Sequence, residues 1–178
     1  MVFTISNFLA KTGVWIFTTL HSTIYNIFQG FRRERMEMEE LIQSRIHSYY
    51  WNDDLNCAET TLKILAEIFS MEIQPQILAA AVGMHGAGKF GAQCGLVEGA
   101  LMFIGILGKE KGIDKERTIA LCYAFADGFE QRFKSLRCKD LRPMGFRPND
   151  PPHLCEGKTR IAIKFSADFI NKALEINP

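Results

Sequence analysis

The stretch CGLVEGALMFIGIL, residues 94–107, decides the fold that the sequence predicts. It is almost entirely apolar, and Gly95, Gly99 and Gly105 recur along it. A helix that is apolar on every side is either a membrane span or the central helix of a bundle. Its 14 residues are short for a span, which needs about 20. Because small residues permit close approach to neighbouring helices, we predict that this segment is the central helix of an all-α bundle.

Helical periodicity continues on both sides of this central segment. Pro75 suits the first turn of one helix, and Asp114 suits the cap position of another. The final helix should bury Ile161, Phe165, Phe169 and Ile170. No segment indicates a strand, so we expect an all-α bundle of about six helices, with an irregular stretch at 143–152 that holds four prolines. Besides the central segment, the predicted helices cover residues 36–51, 56–70, 76–84, 115–134 and 155–174, with one short turn at 138–141.

The first 32 residues predict a separate long amphipathic helix, ahead of a helical domain at 33–178. No charged residue lies between Thr12 and Phe31, and apolar side chains share one face at helical spacing. Three interpretations stay open: a helix docked on its own or a partner chain, an interfacial helix on a membrane surface, and a true span. We expect a homo-oligomer contact through this helix and no secretory signal, since no basic stretch opens the chain. The face consists of Ile16, Leu20, Ile24, Phe28 and Phe31, with Phe17 and Ile27 alongside.

Composition narrows the class of protein. The chain has 178 residues, 47% of them hydrophobic, and carries 21 Lys and Arg against 20 Asp and Glu. This describes one globular domain and excludes a largely disordered chain. A net charge of +1 argues against nucleic acid as a partner, because that surface needs a basic patch. Five cysteines are too sparse for a secreted disulfide scaffold, so we expect a cytoplasmic protein, with membrane association as an alternative.

The five cysteines divide into four and one. Four of them fall at predicted helix N-termini, where unpaired N–H groups and the helix dipole favour a thiolate over a thiol. Arg137 and Lys139 flank one of these cysteines, and Lys158 lies one turn beyond another, which should act in the same direction. Cys122 lies in mid-helix and is expected to be a small core residue. The four at helix starts are Cys57, Cys94, Cys138 and Cys155.

The spacing of these cysteines excludes several kinds of site. No Cys-x-x-Cys pair occurs, which excludes ferredoxin runs, zinc ribbons, thioredoxin-type motifs and covalent c-type haem. Any site that joins the four thiols must therefore be assembled by the tertiary fold.

The segment CGLVEGALM at 94–102 resembles the C-GCAxxG-C-C family of redox-active proteins, with Asn56-Cys57-Ala58 as the single upstream cysteine of that signature. Cys138 and Cys155 fill the places of its two later cysteines, and FEQRFK at 129–134 is similar to the helix before the third. The resemblance covers about residues 41–172, departs at Leu96, and leaves out Cys122 and the N-terminal helix. It implies a redox role for the four cysteines, with an iron–sulfur centre as the leading idea. Similar domains occur beside haem-binding segments in split-Soret cytochromes, which again implies electron transfer.

Three functions remain open at this point. The first is electron transfer by a [2Fe–2S] or [4Fe–4S] cluster on the four cysteines, working with a redox partner protein. The second is a metal-free dithiol/disulfide redox protein. The third is an interaction module with a structural zinc ion.

Several residues near the cysteines are candidates for supporting roles. A glycine-rich loop precedes Cys94, and its N–H groups could lie over the sulfurs of a bound cofactor. His85 and His153 are either further ligands or ordinary loop residues. Glu98 is either a carboxylate that contacts the cluster's surroundings or a cation such as Lys89, or a partly exposed side chain. The candidate cofactor-binding glycines are Gly86, Gly88, Gly91 and Gly95.

Overall fold

The computed structural model describes residues 6–142, 147, 149–151 and 153–174, and only the backbone of 6–24, 26, 27 and 31. The described residues form eight helical segments and no strand, which confirms the all-α prediction. Six of the segments are seven residues or longer, and α4 and α7 are four residues each. The segments are α1 (Ser6–Trp51), α2 (Cys57–Ile68), α3 (Pro75–Ala81), α4 (Gly86–Lys89), α5 (Gly95–Glu110), α6 (Lys115–Phe133), α7 (Cys138–Leu141) and α8 (Glu156–Leu174).

The chain divides into two compact units, residues 1–39 and residues 40–178. The first unit is helical from Ser6 onward, and α1 continues without a break into the second. Phe28 is 70% exposed, whereas the side chains of the other residues on the predicted apolar face lie outside the described part. Among the described helices, none is long and apolar enough to cross a membrane.

Local sequence signals set the starts of the helices. Asn56 caps α2 by accepting hydrogen bonds from two backbone N–H groups, and Glu59 completes a capping box. Pro75 occupies the first position of α3. Asp114 caps α6 by accepting from the backbone N–H of Arg117. These starts agree with the predicted ones because each depends on residues adjacent in sequence.

Helix α5 is central in the second unit, as the apolar stretch at 94–107 predicts. It packs against α2, α6 and α8. Phe103 and Leu107 are almost completely buried within it. Its closest neighbour is α2, because Gly99 presents no side chain there: a β-carbon on Gly99 would lie 2.5 Å from the carbonyl oxygen of Ala58.

Helices α6 and α8 pack through a cluster of aromatic rings. The ring of Phe125 lies 5.4 Å from that of Phe169 and 5.8 Å from that of Phe165, between ring centroids. Ile170 is buried as predicted, but the prediction for Ile161 is wrong, since it is 47% exposed. Thr159, Ser166 and the alanines of α8 occupy buried positions instead, so small residues form much of the buried face of this helix.

Helices α2, α5 and α8 begin at the same end of the second unit. Cys57 of α2 lies against Gly95 at the start of α5, and farther along Phe69 lies 5.4 Å from Phe103 between ring centroids. At the opposite end, Ile68, Leu107 and Asn171 line one cavity. The three helices are therefore parallel, and the residues that start them meet at one end. Most of the predicted irregular stretch at 143–152 lies outside the described residues, and its described members are in neither helix nor strand.

Substitution of Gly99 tests the close approach of α2 and α5. Gly99→Ala would place a methyl group 2.5 Å from a backbone oxygen and 2.9 Å from Cβ of Thr61, so we expect a loss of about 1–3 kcal/mol in the free energy of unfolding. Gly105→Ala is the matched control on the same helix, because nothing lies within 4 Å of a β-carbon there. It should raise the free energy of unfolding by about 0.5–1 kcal/mol. Denaturant unfolding measures both, and equal effects would contradict the packing.

Deletion of residues 1–31 tests the predicted role of the N-terminal segment. The four cysteines all lie in the unit at 40–178, so the shortened chain should bind metal as the full chain does. If this helix holds copies of the chain together, the mass measured by light scattering should fall to that of one chain. An unchanged mass together with an unchanged affinity for vesicles would contradict both the oligomer and the membrane interpretations.

Candidate four-cysteine site

Two backbone segments place Cys94 beside Cys138. The N–H of Cys94 donates to the carbonyl of Leu136 at 2.8 Å, and the N–H of Cys138 donates to the carbonyl of Ala92 at 2.7 Å. An antiparallel bridge between Gln93 and Arg137 joins the residues just before each cysteine. Both cysteines are buried, and their side chains are hydrogen-bonded to each other. These backbone contacts, called the clamp below, explain how Cys94 and Cys138, which are far apart in sequence, form one pair.

Cys57 reaches the same end of the bundle because α2 lies directly on the start of α5. A β-carbon on Gly95 would lie 2.5 Å from Sγ of Cys57, so only glycine leaves room for this sulfur. The backbone N–H of Gly95 donates to the Cys57 sulfur, and that of Leu96 donates to the Cys94 sulfur. The first turn of α5 therefore supplies hydrogen bonds to two thiols at once.

Cys155 lies at the turn that leads into α8, and its carbonyl accepts the N–H of Thr159 at 2.7 Å. The guanidinium of Arg142 is hydrogen-bonded to the Cys155 side chain and also acts electrostatically on Cys138. Arg142 in turn lies 3.5 Å from the carboxylate of Asp150. One cation thus connects the later two cysteines.

Each of the four thiols at helix starts interacts electrostatically with at least two of the others. Cys57 is affected by Cys138 and Cys155, and Cys94 by Cys57 and Cys138. Cys122 takes no part in this network and lies half-buried on α6. Cys122, predicted to be a small core residue, is thus only partly buried, because α6 turns much of its surface to solvent.

The predicted thiolate character holds for one of the four cysteines. A hydrogen bond from Cys94 lowers the pKa of Cys138 to about 7, and the same bond, with burial, raises the pKa of Cys94. Burial raises the pKa of Cys57 to about 12 and raises that of Cys155 as well. For the other three thiols, the cost of burying a negative charge is larger than the stabilisation that the helix N-termini provide.

The cations that surround the thiols also differ from the predicted ones. Arg142 is the cation that lowers the pKa of Cys138, while the adjacent Arg137 is paired with Asp140 at 3.2 Å. Lys158 does lower the pKa of Cys155, as predicted, although the electrostatic effect of Arg142 is larger. Its ammonium group donates to the carbonyl of Leu141.

The four candidate glycines have different surroundings. Gly86 has a φ of +71°, and a β-carbon there would lie 2.9 Å from Cβ of Cys138, so it lies against the site as Gly95 does. Gly88 has open space around it. The N–H groups of Gly88 and Gly91 donate to the carbonyls of Gly83 and Gly86 within the loop, so a role for these two glycines in binding a cofactor stays a prediction.

A comparison with models of known protein families gives a match that covers most of the chain. Residues 55–169 match the model described as "Putative redox-active protein (C_GCAxxG_C_C)". The chain belongs to this family. The family match begins just before Cys57 and ends after Cys155, so it spans the whole four-cysteine site. Searches of curated proteins and of solved structures found no match to the chain.

The donor set that the family signature supplies fits a thiophilic metal centre in its chemistry. Thiolates select zinc and iron–sulfur clusters, and Gly95 is a position where any side chain would collide with a sulfur. In the part of the chain that the structure describes, however, no three His, Cys, Asp or Glu side chains are arranged as a ready ligand set for a metal ion. The side chains of Cys94 and Cys138 instead act on each other, which raises the pKa of Cys94 and lowers that of Cys138.

The other candidate residues have ordinary partners or none. A ring nitrogen of His85 lies 2.8 Å from the carbonyl of Val82. His153 stacks on the ring of Tyr50. Glu98 is partly buried, which raises the pKa of its carboxyl group, and among the described residues it forms no ion pair with Lys89. These observations favour the interpretation of His85 as a loop residue.

Sequence reasoning missed three residues of the site. Tyr50 is 3% exposed, interacts electrostatically with Cys57, Cys94 and Cys155, and is hydrogen-bonded to the hydroxyl of Thr159 at 2.7 Å. Thr159 and Arg142 are the other two residues that were missed. The position of Arg142 one turn after Cys138 was a usable signal, whereas nothing local marks Tyr50.

The hydrogen bond between Cys94 and Cys138 predicts a pH dependence in the reduced, metal-free protein. Cys138 ionises near pH 7 when folded but nearer its ordinary value of 9.0 when unfolded. Between these values the unfolded chain binds more protons, so this group stabilises the fold increasingly as pH rises. Cys94→Ala removes the donor and should move the thiolate titration upward, while Cys94→Ser keeps a donor and should hold it near its original midpoint. Ultraviolet thiolate absorbance measures the titration, and the same midpoint in both variants would contradict the assignment.

Proposed function

We propose that this redox-family protein transfers electrons with an iron–sulfur cluster held by Cys57, Cys94, Cys138 and Cys155. The observation that carries the proposal is the meeting of these four cysteines, from separate helix starts, in one electrostatic network that excludes Cys122. Such a cluster supplies the ability to accept and release one electron at a time without a change of covalent bonds.

The surrounding groups support thiolate ligands. Thiols whose pKa values are raised by burial and by one another must lose protons to bind metal, so binding should release protons. The N–H groups of Gly95 and Leu96 donate to sulfur, and hydrogen bonds of this kind raise the reduction potential of a cluster. Arg142 offsets part of the negative charge near Cys138 and Cys155.

Metal analysis of single variants tests this proposal. Each of Cys57→Ser, Cys94→Ser, Cys138→Ser and Cys155→Ser should lower the iron and acid-labile sulfide content of anaerobically purified protein and weaken its visible absorbance. Cys122→Ser is the matched control and should keep the content of the parent chain. If Cys122→Ser is the variant that loses iron, the ligand assignment is wrong.

Metal identity separates the remaining functions. Zinc in place of iron and sulfide would leave a structural zinc site, and a colourless preparation with no metal would contradict both metal functions. Circular dichroism of the cysteine variants shows whether a loss of metal follows from a loss of fold.

The geometry of one pair favours a second candidate function, metal-free dithiol chemistry. Cys138, with its pKa near 7, is hydrogen-bonded to the Cys94 thiol, which is the arrangement of a nucleophilic thiolate beside a resolving thiol. Attack of Cys138 on a partner disulfide breaks that S–S bond, and attack of Cys94 on the mixed disulfide then forms the Cys94–Cys138 bond. The partner leaves as a dithiol, having gained two electrons from the two cysteines, one proton from the Cys94 thiol and one from water.

Mass spectrometry tests this second function. After treatment with oxidised glutathione, the wild-type chain should lose two protons and contain a Cys94–Cys138 disulfide, while Cys94→Ser should stop at a glutathione adduct on Cys138. Unmodified thiols in the metal-free wild-type chain would contradict the dithiol function.

A further inference from the structure

A continuous set of ring contacts leads from the cysteines to the surface. Tyr50 is buried, and its hydroxyl is hydrogen-bonded at 2.7 Å to that of Thr159, whose N–H donates to the carbonyl of Cys155. The ring of His153 stacks on that of Tyr50, with 4.6 Å between centroids and 16° between planes. The ring of Trp51 meets His153 edge-on at 5.1 Å between centroids. Trp51 is 50% exposed, so the last ring of the series reaches solvent.

Three carboxylates lie on the two segments that carry and contact the exposed tryptophan. The indole N–H of Trp51 donates to the carboxylate of Glu156 at 3.0 Å. Asp53 and Asp54 follow Trp51 directly at the end of α1, and the side chain of Asp54 is 96% exposed. The segments 50–54 and 153–157 contain three carboxylates and neither lysine nor arginine. An exposed aromatic ring within an acidic surface is typical of a docking site for a positively charged protein.

Two residues of this surface have a positive φ and lie close to each other. Asp54 and His153 are non-glycine residues with φ of 50° and 56°, a region that costs of order 1 kcal/mol or more each. Their side chains meet, with Nε2 of His153 3.7 Å from Oδ1 of Asp54. Two such residues side by side indicate that contacts with the surrounding structure, as well as the path of the chain, fix the conformation of this loop.

We propose that Trp51 with Asp53, Asp54 and Glu156 forms the docking surface for a one-electron redox partner that presents a positively charged face, and that Tyr50, His153 and Trp51 form the path between that partner and the four cysteines. The proposal rests on the proposed function for its electron source. One electron leaves the centre held by the cysteines, which is thereby oxidised, and reduces a ferric haem of the partner to ferrous. No proton moves and no covalent bond changes.

Binding and electron transfer to cytochrome c, a basic haem protein, test the surface. We expect calorimetric binding at low ionic strength that weakens as salt is added. Asp53→Asn with Asp54→Asn should raise the Kd about fivefold, since it removes two exposed charge pairs. Asparagine tolerates the positive φ of residue 54, so the fold should be kept. Trp51→Ala should raise the Kd about tenfold, as truncation of a central interface tryptophan does.

The matched control removes two charges from the opposite end of the helices. Glu72 and Glu110 line the cavity at the far ends of α2 and α5, and Glu72→Gln with Glu110→Gln should leave the Kd for cytochrome c unchanged. The path itself is tested by stopped-flow rates at saturating cytochrome c, which should fall in Trp51→Ala and recover in Trp51→Phe. Reduction of ferricyanide, a small anion, should not slow in Asp53→Asn with Asp54→Asn.

The outcomes separate the two proposals. Equal losses of affinity in the two charge variants, or no dependence on salt, would overturn the docking surface even if the cluster is present. A saturated rate that is the same in Trp51→Ala as in the parent chain would overturn the path. Absence of iron and labile sulfide would overturn the proposed function, whereas the calorimetric Kd would still decide the docking surface.

Discussion

The close contact between the first turns of α2 and α5 is the constraint on which the site depends. Gly95 and Gly99 present no side chains, so the backbone of α2 lies directly on α5 and Cys57 takes the space that a β-carbon would fill. With α8 parallel to this pair, the starts of three helices converge. The clamp between Cys94 and Cys138 then adds the short helix α7 to the same end. Tertiary contacts bring together four cysteines that no local motif connects.

Burial opposes the electrostatic effect of the helix ends in this arrangement. The convergence of helix N-termini should stabilise negative charge, yet burial and mutual repulsion raise the pKa of Cys57. Only Cys138, which accepts a hydrogen bond and lies near Arg142, gains thiolate character. Buried thiols without a nearby cation therefore stay protonated. A metal ion changes this, because its positive charge favours thiolates and it takes the place of the protons.

The fold was predictable from the sequence where the signals were local. Asn56, Pro75 and Asp114 act on residues within one turn, so the helix starts agreed with the predicted ones. The burial of side chains was harder to predict, as Ile161 illustrates, because it depends on which helix lies opposite. The four cysteines could be chosen from their positions and from the family signature. Tyr50 and the Gln93–Arg137 bridge could not, since they depend on contacts between distant parts of the chain.

The parallel arrangement of α2, α5 and α8 also has a consequence for folding. Parallel neighbours require the chain to return along the bundle between them, so the contacts among α2, α5 and α8 join residues of large sequence separation. Contacts of this kind carry a loop-closure cost and form late compared with the helices themselves. Until they form, five free thiols are present on an incompletely folded chain and can pair wrongly. The yield of native protein should therefore depend on whether the chain folds before its thiols are oxidised.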